Sequence, residues 1–347
     1  MRAFFYEQFI YEQFILKEQF ILNNRREGRI VRTSSTPPWA LILAGGDGIR
    51  LRPLTTQIVS DLRPKQFCSL VDEETLLDRT RRRVDLLVQS RRHLIVVSRP
   101  HEAYFRYLAV ELAPDRLVIQ PANRGTAPGI VYPLLRLTDL VGDTPVAVFP
   151  SDHAVSDELV LIGYVRRAVK VVHARRDVIV LLGIEADYPE TEYGWIEPCD
   201  IPLLIDGEPV FPIRRFWEKP SPPLAQQLFE RGCLWNSFIM VGWATAFLEL
   251  VQATAPDVIG AFKPVRSRLG SVAEGATVER VYSELPSISF SDCVLARAPD
   301  RLVTVRVKGL TWSDLGSPER LVAALHRAGR IPSWLSQVDL ARYDLGG

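Results

Sequence analysis

From Trp39 onward the chain alternates short apolar runs with stretches of helix-like spacing. The runs are Ala40–Leu43, Leu94–Val97, Leu117–Ile119, Val146–Phe149 and Val178–Leu182. Between them, Glu74–Val88, His101–Leu112, Gly129–Leu140 and Asp157–Arg175 place apolar residues three and four apart, on one helix face. Strands that are continuously apolar, rather than alternating, suit a parallel sheet covered on both faces. The pattern therefore predicts a doubly wound α/β domain. After about Asp187 it becomes mixed, with Pro-rich turns and β-like stretches at Val210–Trp217 and Leu302–Val307. No clean linker separates the two parts, so the second is expected as a subdomain packed on the same sheet. Ser317-Pro318 reads as an N-cap and first-turn proline, starting a helix over Pro318–Arg327.

Ahead of this domain, residues 6–22 carry a tandem repeat, YEQFI, YEQFIL, KEQFIL, followed by a polar, Arg/Ser/Thr-rich stretch from Asn23 to Pro38. The period is too short for a solenoid, and Glu and Gln interrupt every apolar cluster, unlike a secretory signal. A dispensable extension over 1–36 is expected, with an amphipathic partner-binding helix as the alternative. The remainder divides into a domain over 37–330, split near 186/187, and a tail over 331–347.

The composition narrows the partners. The 347 residues are 47% hydrophobic and 24% charged, and 42 Lys and Arg against 41 Asp and Glu leave a net charge of +1. Such a chain has no field to draw it onto nucleic acid or an anionic membrane, although a local basic cleft can hide inside a balanced total. No run approaches the roughly 18 apolar residues of a membrane span. Cys68, Cys199, Cys233 and Cys293 lack CxxC spacing. They indicate neither a zinc ribbon nor a disulfide framework, and a cytoplasmic location is expected. The positive charge is written as 36 Arg and only 6 Lys.

The candidate chemistry lies just beyond the predicted strands. The first strand runs into Leu43-Ala-Gly-Gly-Asp-Gly-Ile-Arg-Leu-Arg-Pro-Leu-Thr55. A glycine-rich turn at the carboxyl end of such a strand lets backbone N–H groups approach phosphate oxygens. It has neither the GK[ST] of a P-loop nor the third glycine of a dinucleotide fingerprint, which would stand at Leu51. Arg50 and, in Pro64-Lys65-Gln66-Phe67, Lys65 add two cations to the cradle. Asp152 follows the strand Val146–Phe149, and Asp314 follows Leu302–Val307. Two carboxylates so placed suit a hard divalent cation that takes its other ligands from water and substrate phosphates. His153 has no His partner at ligand spacing and is read as structural.

Together these residues resemble the sugar-phosphate nucleotidyltransferases, whose hallmark is GGxGxRLxPLT followed by PK. Pro64-Lys65-Gln66-Phe67 is similar to the mannose-1-phosphate guanylyltransferase branch. The resemblance runs from about Trp39 to Leu325. It implies a Rossmann-like α/β nucleotidyltransferase fold, a mostly parallel mixed sheet flanked by helices, with a packed sugar-binding subdomain. It also implies an enzyme that joins a sugar 1-phosphate to a nucleoside triphosphate, with GTP and mannose 1-phosphate the expected pair, and Mg²⁺ on Asp152 and Asp314. Ala44, Gly45, Gly46 and Gly48 would cradle the triphosphate, and Arg50 and Lys65 would stabilise charge on the α-phosphate and departing pyrophosphate.

Gln120-Pro-Ala-Asn-Arg-Gly-Thr-Ala-Pro128 matches the family's base-holding segment, assigning Gln120, Gly125 and Thr126 to the nucleotide. The family usually reads Arg-Asn-Thr-Ala-Pro there, often after an acidic residue. An amide at Gln120 can serve guanine with help from backbone carbonyls, and can also pair with thymine or uracil. Gly194 in Tyr193-Gly-Trp-Ile-Glu197, Glu218 and Lys219 in Trp217-Glu-Lys-Pro220, and Asn236 in Trp235-Asn-Ser237 match the family's sugar-phosphate segments. Phe238 replaces the glycine usual after that last motif. Glucose 1-phosphate with dTTP or UTP, and a non-catalytic nucleotide-sugar sensor, are the alternatives; the sensor would be expected to have lost a carboxylate or cation. The roughly 30 residues after Gly316 are too few for an appended cupin-type isomerase domain. A homo-oligomer is compatible with the sequence.

Overall fold

The computed structural model describes residues 36–338. The repeat over 6–22 lies outside them. Twelve strands form among the described residues: β1 (Trp39–Ala44), β2 (His93–Ser98), β3 (Leu117–Gln120), β4 (Pro145–Pro150), β5 (Ala154–Val155), β6 (Ile179–Glu185), β7 (Gly194–Pro198), β8 (Leu203–Ile205), β9 (Glu208–Glu218), β10 (Leu234–Trp243), β11 (Leu302–Val307) and β12 (Trp312–Ser313). Ten of them make one mixed sheet in the order β3-β2-β1-β4-β10-β6-β11-β9-β7, with β8 on β9 and a further pairing of β10 with β7. β1, β2, β3 and β4 are mutually parallel, as are β6 and β11. β10 runs antiparallel between β4 and β6.

The continuous apolar runs sit where the pattern predicts, because strands such as β4 are buried at every position. One group of helices, Leu76–Asp85 and Glu158–Ala174, packs together against the sheet; a second, Thr126–Val141, Ala244–Thr254 and Pro256–Arg266, packs together as a separate layer. Thr75 and Asp157 cap the first two by accepting N–H bonds from Asp78 (3.1 Å) and Val160 (2.9 Å). Ser317 likewise caps Pro318–Arg327, accepting from Arg320 N–H (3.4 Å).

Three sequence expectations need correction. His101–Leu112 is two single turns, Glu102–Phe105 and Leu108–Glu111, interrupted at Arg106–Tyr107, where the Tyr107 hydroxyl reaches Asp78 (3.1 Å). The mixed second part contributes β10, a strand at the middle of the sheet that its sequence pattern does not predict. It also contributes an unpredicted helical run, Ala244–Glu284, in which Ala244–Thr254 packs on β10, Pro256–Arg266 packs on Ala244–Thr254, and Glu274–Glu284 packs on Pro256–Arg266. The start of the expected tail also turns back. Trp334 is buried with Leu51, Leu54, Leu315 and Leu321, and its indole N–H donates to Leu70 O (3.1 Å). No helix among the described residues is long and apolar enough to cross a membrane.

Candidate active site

A cavity of about 440 Å³ opens at the carboxyl ends of β1, β3 and β4. In an open α/β sheet this is where ligands sit. Of the residues singled out by sequence, all line it except Ala44 and Gly48. Ala44 is buried, its carbonyl accepting from Gln66 Nε2 (3.0 Å); Gly48 turns with φ 61° beside Lys65.

The glycine loop is held from three sides. Gln66 also donates to Gly46 O (2.8 Å), Ser98 Oγ donates to Gly45 O (2.8 Å), and Asp47 takes His101 Nε2 (3.1 Å) and Asn123 Nδ2 (2.9 Å). These bonds tie the loop's carbonyls back, and Gly45 and Gly46 line the cleft. Gln66 is 2% exposed and acts on the loop rather than on a ligand. In the sequence it is only a motif letter, because its two acceptors stand about twenty residues away.

The two carboxylates meet because β5 pairs antiparallel with β12, setting Ala154 opposite Ser313 and Val155 opposite Trp312. Asp152 precedes one strand and Asp314 follows the other. Lys65 closes the junction. Its Nζ lies 3.1 Å from Asp152 Oδ2 and donates to Asp314 O (2.6 Å). Burial pushes the Asp152 carboxyl up, but the pull of Lys65 and smaller contributions beside it together turn the net shift downward, so Asp152 stays ionised. Burial drives His153 down to about 4, leaving a neutral ring that meets Trp312 edge-on at 5.1 Å. Asp314 Oδ1 is engaged by Gly316 N–H (2.8 Å) and Arg320 Nε (3.1 Å). Its Oδ2 has only long contacts, 3.4 Å to Arg320 and 3.8 Å to Arg50.

This donor set fits a hard cation. Each carboxylate keeps one oxygen with only long contacts: Asp314 Oδ2, and Asp152 Oδ1 at 3.6 Å from the neutral His153 ring. Among the described residues no group of three or more His, Cys, Asp or Glu could hold a metal alone. A cation here would complete its shell with phosphate oxygens and water, the habit of Mg²⁺.

At the β3 end of the cleft, Gln120 is 4% exposed, with its Oε1 accepting the Tyr282 hydroxyl (2.9 Å). Gly125 has φ 82°, and a Cβ there would land on the Ile288 carbonyl. The same carbonyl accepts Ala127 N–H (3.0 Å), and Ile288 N–H donates to Arg124 O (2.9 Å). Thr126 Oγ1 accepts Phe290 N–H (2.7 Å). The 288–290 strap and Tyr282 carry no mark in the sequence, since both come from a region whose folding against β3 has no local signal.

On the opposite side, β7 and β9 pair so that Gly194 faces Glu218. Burial raises Glu218 to about 7, with Asp292 adding to the rise. Asn236 sits at a bulge in β10, its Oδ1 accepting Phe238 N–H (3.1 Å). Lys219, Phe238 and Leu315 have φ of 44°, 58° and 49°. Such left-handed backbone costs of order 1 kcal/mol or more at a non-glycine residue and gathers at functional sites. Tyr193 joins the two halves of the floor, meeting Trp235 at 5.1 Å and Trp312 at 5.0 Å. Glu197, in the same motif, faces away and is held by Trp217 (3.0 Å) and Arg231 (2.8 Å).

An open α/β sheet with a cleft of cations, two carboxylates and glycine-loop amides is that of a protein built around phosphorylated ligands. Comparison with known proteins narrows this: the chain belongs to the nucleotidyl transferase family, whose model matches residues 39–329. It is 30% identical over 285 residues to the alginate biosynthesis protein AlgA of Pseudomonas syringae pv. tomato, covering 80% of this chain and 56% of that protein. It is likewise 30% identical to a mannose-1-phosphate guanylyltransferase of Sinorhizobium fredii, covering 80% of this chain and 52% of the relative. The chain thus spans little more than half the length of these relatives. Its structure is similar to a crystal structure titled mannose-1-phosphate geranyltransferase from Thermus thermophilus, with TM-score 0.70 and 29% identity over 83% of this chain and 79% of that one.

Proposed function

We propose that the protein transfers a guanylyl group from GTP to mannose 1-phosphate, releasing pyrophosphate and GDP-mannose. The observation that carries this reading is Lys65, which ties Asp152 to the Asp314 loop on the wall of a cleft that also holds Arg50, Lys219 and the glycine loop. Both substrates are anions, so the barrier includes bringing a phosphate nucleophile up to a charged phosphorus; alignment and charge neutralisation are the protein's main work. A phosphate oxygen of the sugar phosphate attacks the α-phosphorus, and the bond from that phosphorus to the pyrophosphate oxygen breaks in line. In this reading residues 37–186 hold the nucleotide and 187–330 the sugar.

The Gly45–Gly46 amides and Arg50 receive the triphosphate, and Gln120, Gly125 and Thr126 place the base. Lys219 anchors the sugar phosphate, while Gly194, Glu218 and Asn236 face the sugar. Lys65 keeps Asp152 ionised and in place. Asp152 and Asp314 would hold Mg²⁺, which when bound would supply Lewis-acid charge to the reacting phosphate. No nucleophilic residue is required. Homologues named for mannose 1-phosphate guanylyl transfer support the substrate pair. Gln120 favours one competing reading, because an amide can also serve thymine or uracil. Pyrophosphate release measured across a matrix of nucleoside triphosphates and hexose 1-phosphates decides between them. Highest kcat/KM for GTP with mannose 1-phosphate is expected, and a preference for dTTP or UTP with glucose 1-phosphate would displace the reading.

A further inference from the structure

One carboxylate in the cleft has no part in the reaction above. Glu192 Oε2 lies 2.7 Å from Arg50 Nη1 and 3.7 Å from Lys219 Nζ. A single oxygen thus stands between the cation given to the triphosphate and the cation given to the sugar phosphate. We propose that Glu192 is a positioning residue that fills, between Arg50 and Lys219, the place a substrate phosphate takes, and that it yields this place when phosphate arrives. The inference rests on the nucleotidyltransferase reading.

The surroundings support a side chain that moves on a backbone that does not. Glu192 N–H donates to Glu190 Oε1 (2.9 Å), Glu190 Oε2 meets Arg320 Nη1 (3.3 Å), and Glu190 O accepts Trp195 Nε1 (2.7 Å). The Glu192 side chain itself is 48% exposed, so turning it out into water meets no burial to undo beyond its own ion pairs. Arg50 and Lys219 are similarly open, at 52% and 48%. Until phosphate arrives, Glu192 neutralises two like charges that face each other across the cleft. A phosphate carries more charge than a carboxylate and can take both donors of a guanidinium, so it displaces the placeholder.

The consequence has an unusual sign: removing an acidic residue that lines the site should tighten binding. Half-exposed ion pairs are individually weak, so the competition is modest. Titration calorimetry of the full chain with inorganic pyrophosphate, and separately with mannose 1-phosphate, tests it in Glu192→Gln and Glu192→Ala. Both variants are expected to bind each anion about fivefold more tightly than wild type at low salt, with the gain shrinking as salt screens the charges. KM for mannose 1-phosphate should fall with it. Unchanged or weaker binding in both variants, or a gain that salt does not diminish, overturns the placeholder; weaker binding would instead make Glu192 a substrate contact. If wild type binds neither anion, the nucleotidyltransferase reading fails as well. If it binds both and the variants match it, only the placeholder fails.

Discussion

Glu218 offers a prediction in which stability and function pull apart. Burial, helped by Asp292, raises its carboxyl from 4.5 to about 7, against the smaller pull of Lys219 and Ser291. Between these two values the folded protein keeps a proton that the unfolded chain has lost. Stability therefore falls as pH rises from about 4.5 to 7 and then levels off. The full rise corresponds to at most about 3 kcal/mol, and partial solvent access brings that to about 2 kcal/mol. Glu218→Gln has nearly the same shape and no charge to bury. Urea unfolding at a series of pH values from 5 to 8 should show the variant gaining on wild type by about 2 kcal/mol across the series, while KM for the sugar phosphate rises. A difference between the two proteins that stays constant with pH would refute the reasoning, since the carboxyl would then titrate alike in both states.

Three further outcomes follow from contacts at the cleft. Lys65→Ala or Asp314→Asn should lower kcat by about 10² to 10³ with folding intact by circular dichroism, the usual loss for one preorganised charge, and near-normal turnover would remove that residue from the mechanism. Gly125→Ala, whose Cβ would meet the Ile288 carbonyl at φ 82°, should destabilise the protein by about 1–3 kcal/mol in urea unfolding and raise KM for the nucleotide more than for the sugar phosphate. Tyr282→Phe leaves the buried Gln120 carbonyl without its donor, at a cost of about 1–3 kcal/mol, and should shift the ratio of kcat/KM between GTP and UTP.

What the sequence could disclose follows the range of its signals. β1, β2 and β4 are legible because each is a continuous apolar run buried on both faces, and β3, where only Ile119 is exposed, because its run is equally apolar, a property written in the run itself. β10 is not, because its apolar pattern breaks at the Asn236–Met240 bulge, where Phe238 takes a left-handed φ, and because its place between β4 and β6 depends on pairing with strands far along the chain. The site divides in the same way. Arg50, Asp152 and Asp314 stand in motifs that follow strands, and Lys65 stands in a motif of its own between two helices. Their convergence depends on the two-residue ribbon of β5 and β12, too short to leave a pattern. Gln66, Glu192, Tyr282 and Arg320 act through partners distant in sequence, and only the fold shows what they hold.

At the centre stands the proposal that Asp152, Asp314 and the cations around Lys65 join two phosphates. It is tested most directly by incubating the protein with GTP and mannose 1-phosphate, following pyrophosphate release, and separating the nucleotide products. GDP-mannose and pyrophosphate are expected in equal amounts with Mg²⁺, none with EDTA, and recovery when Mg²⁺ is restored. Pyrophosphate release that continues in EDTA, or GTP and mannose 1-phosphate left unchanged by a protein that binds both, would contradict it.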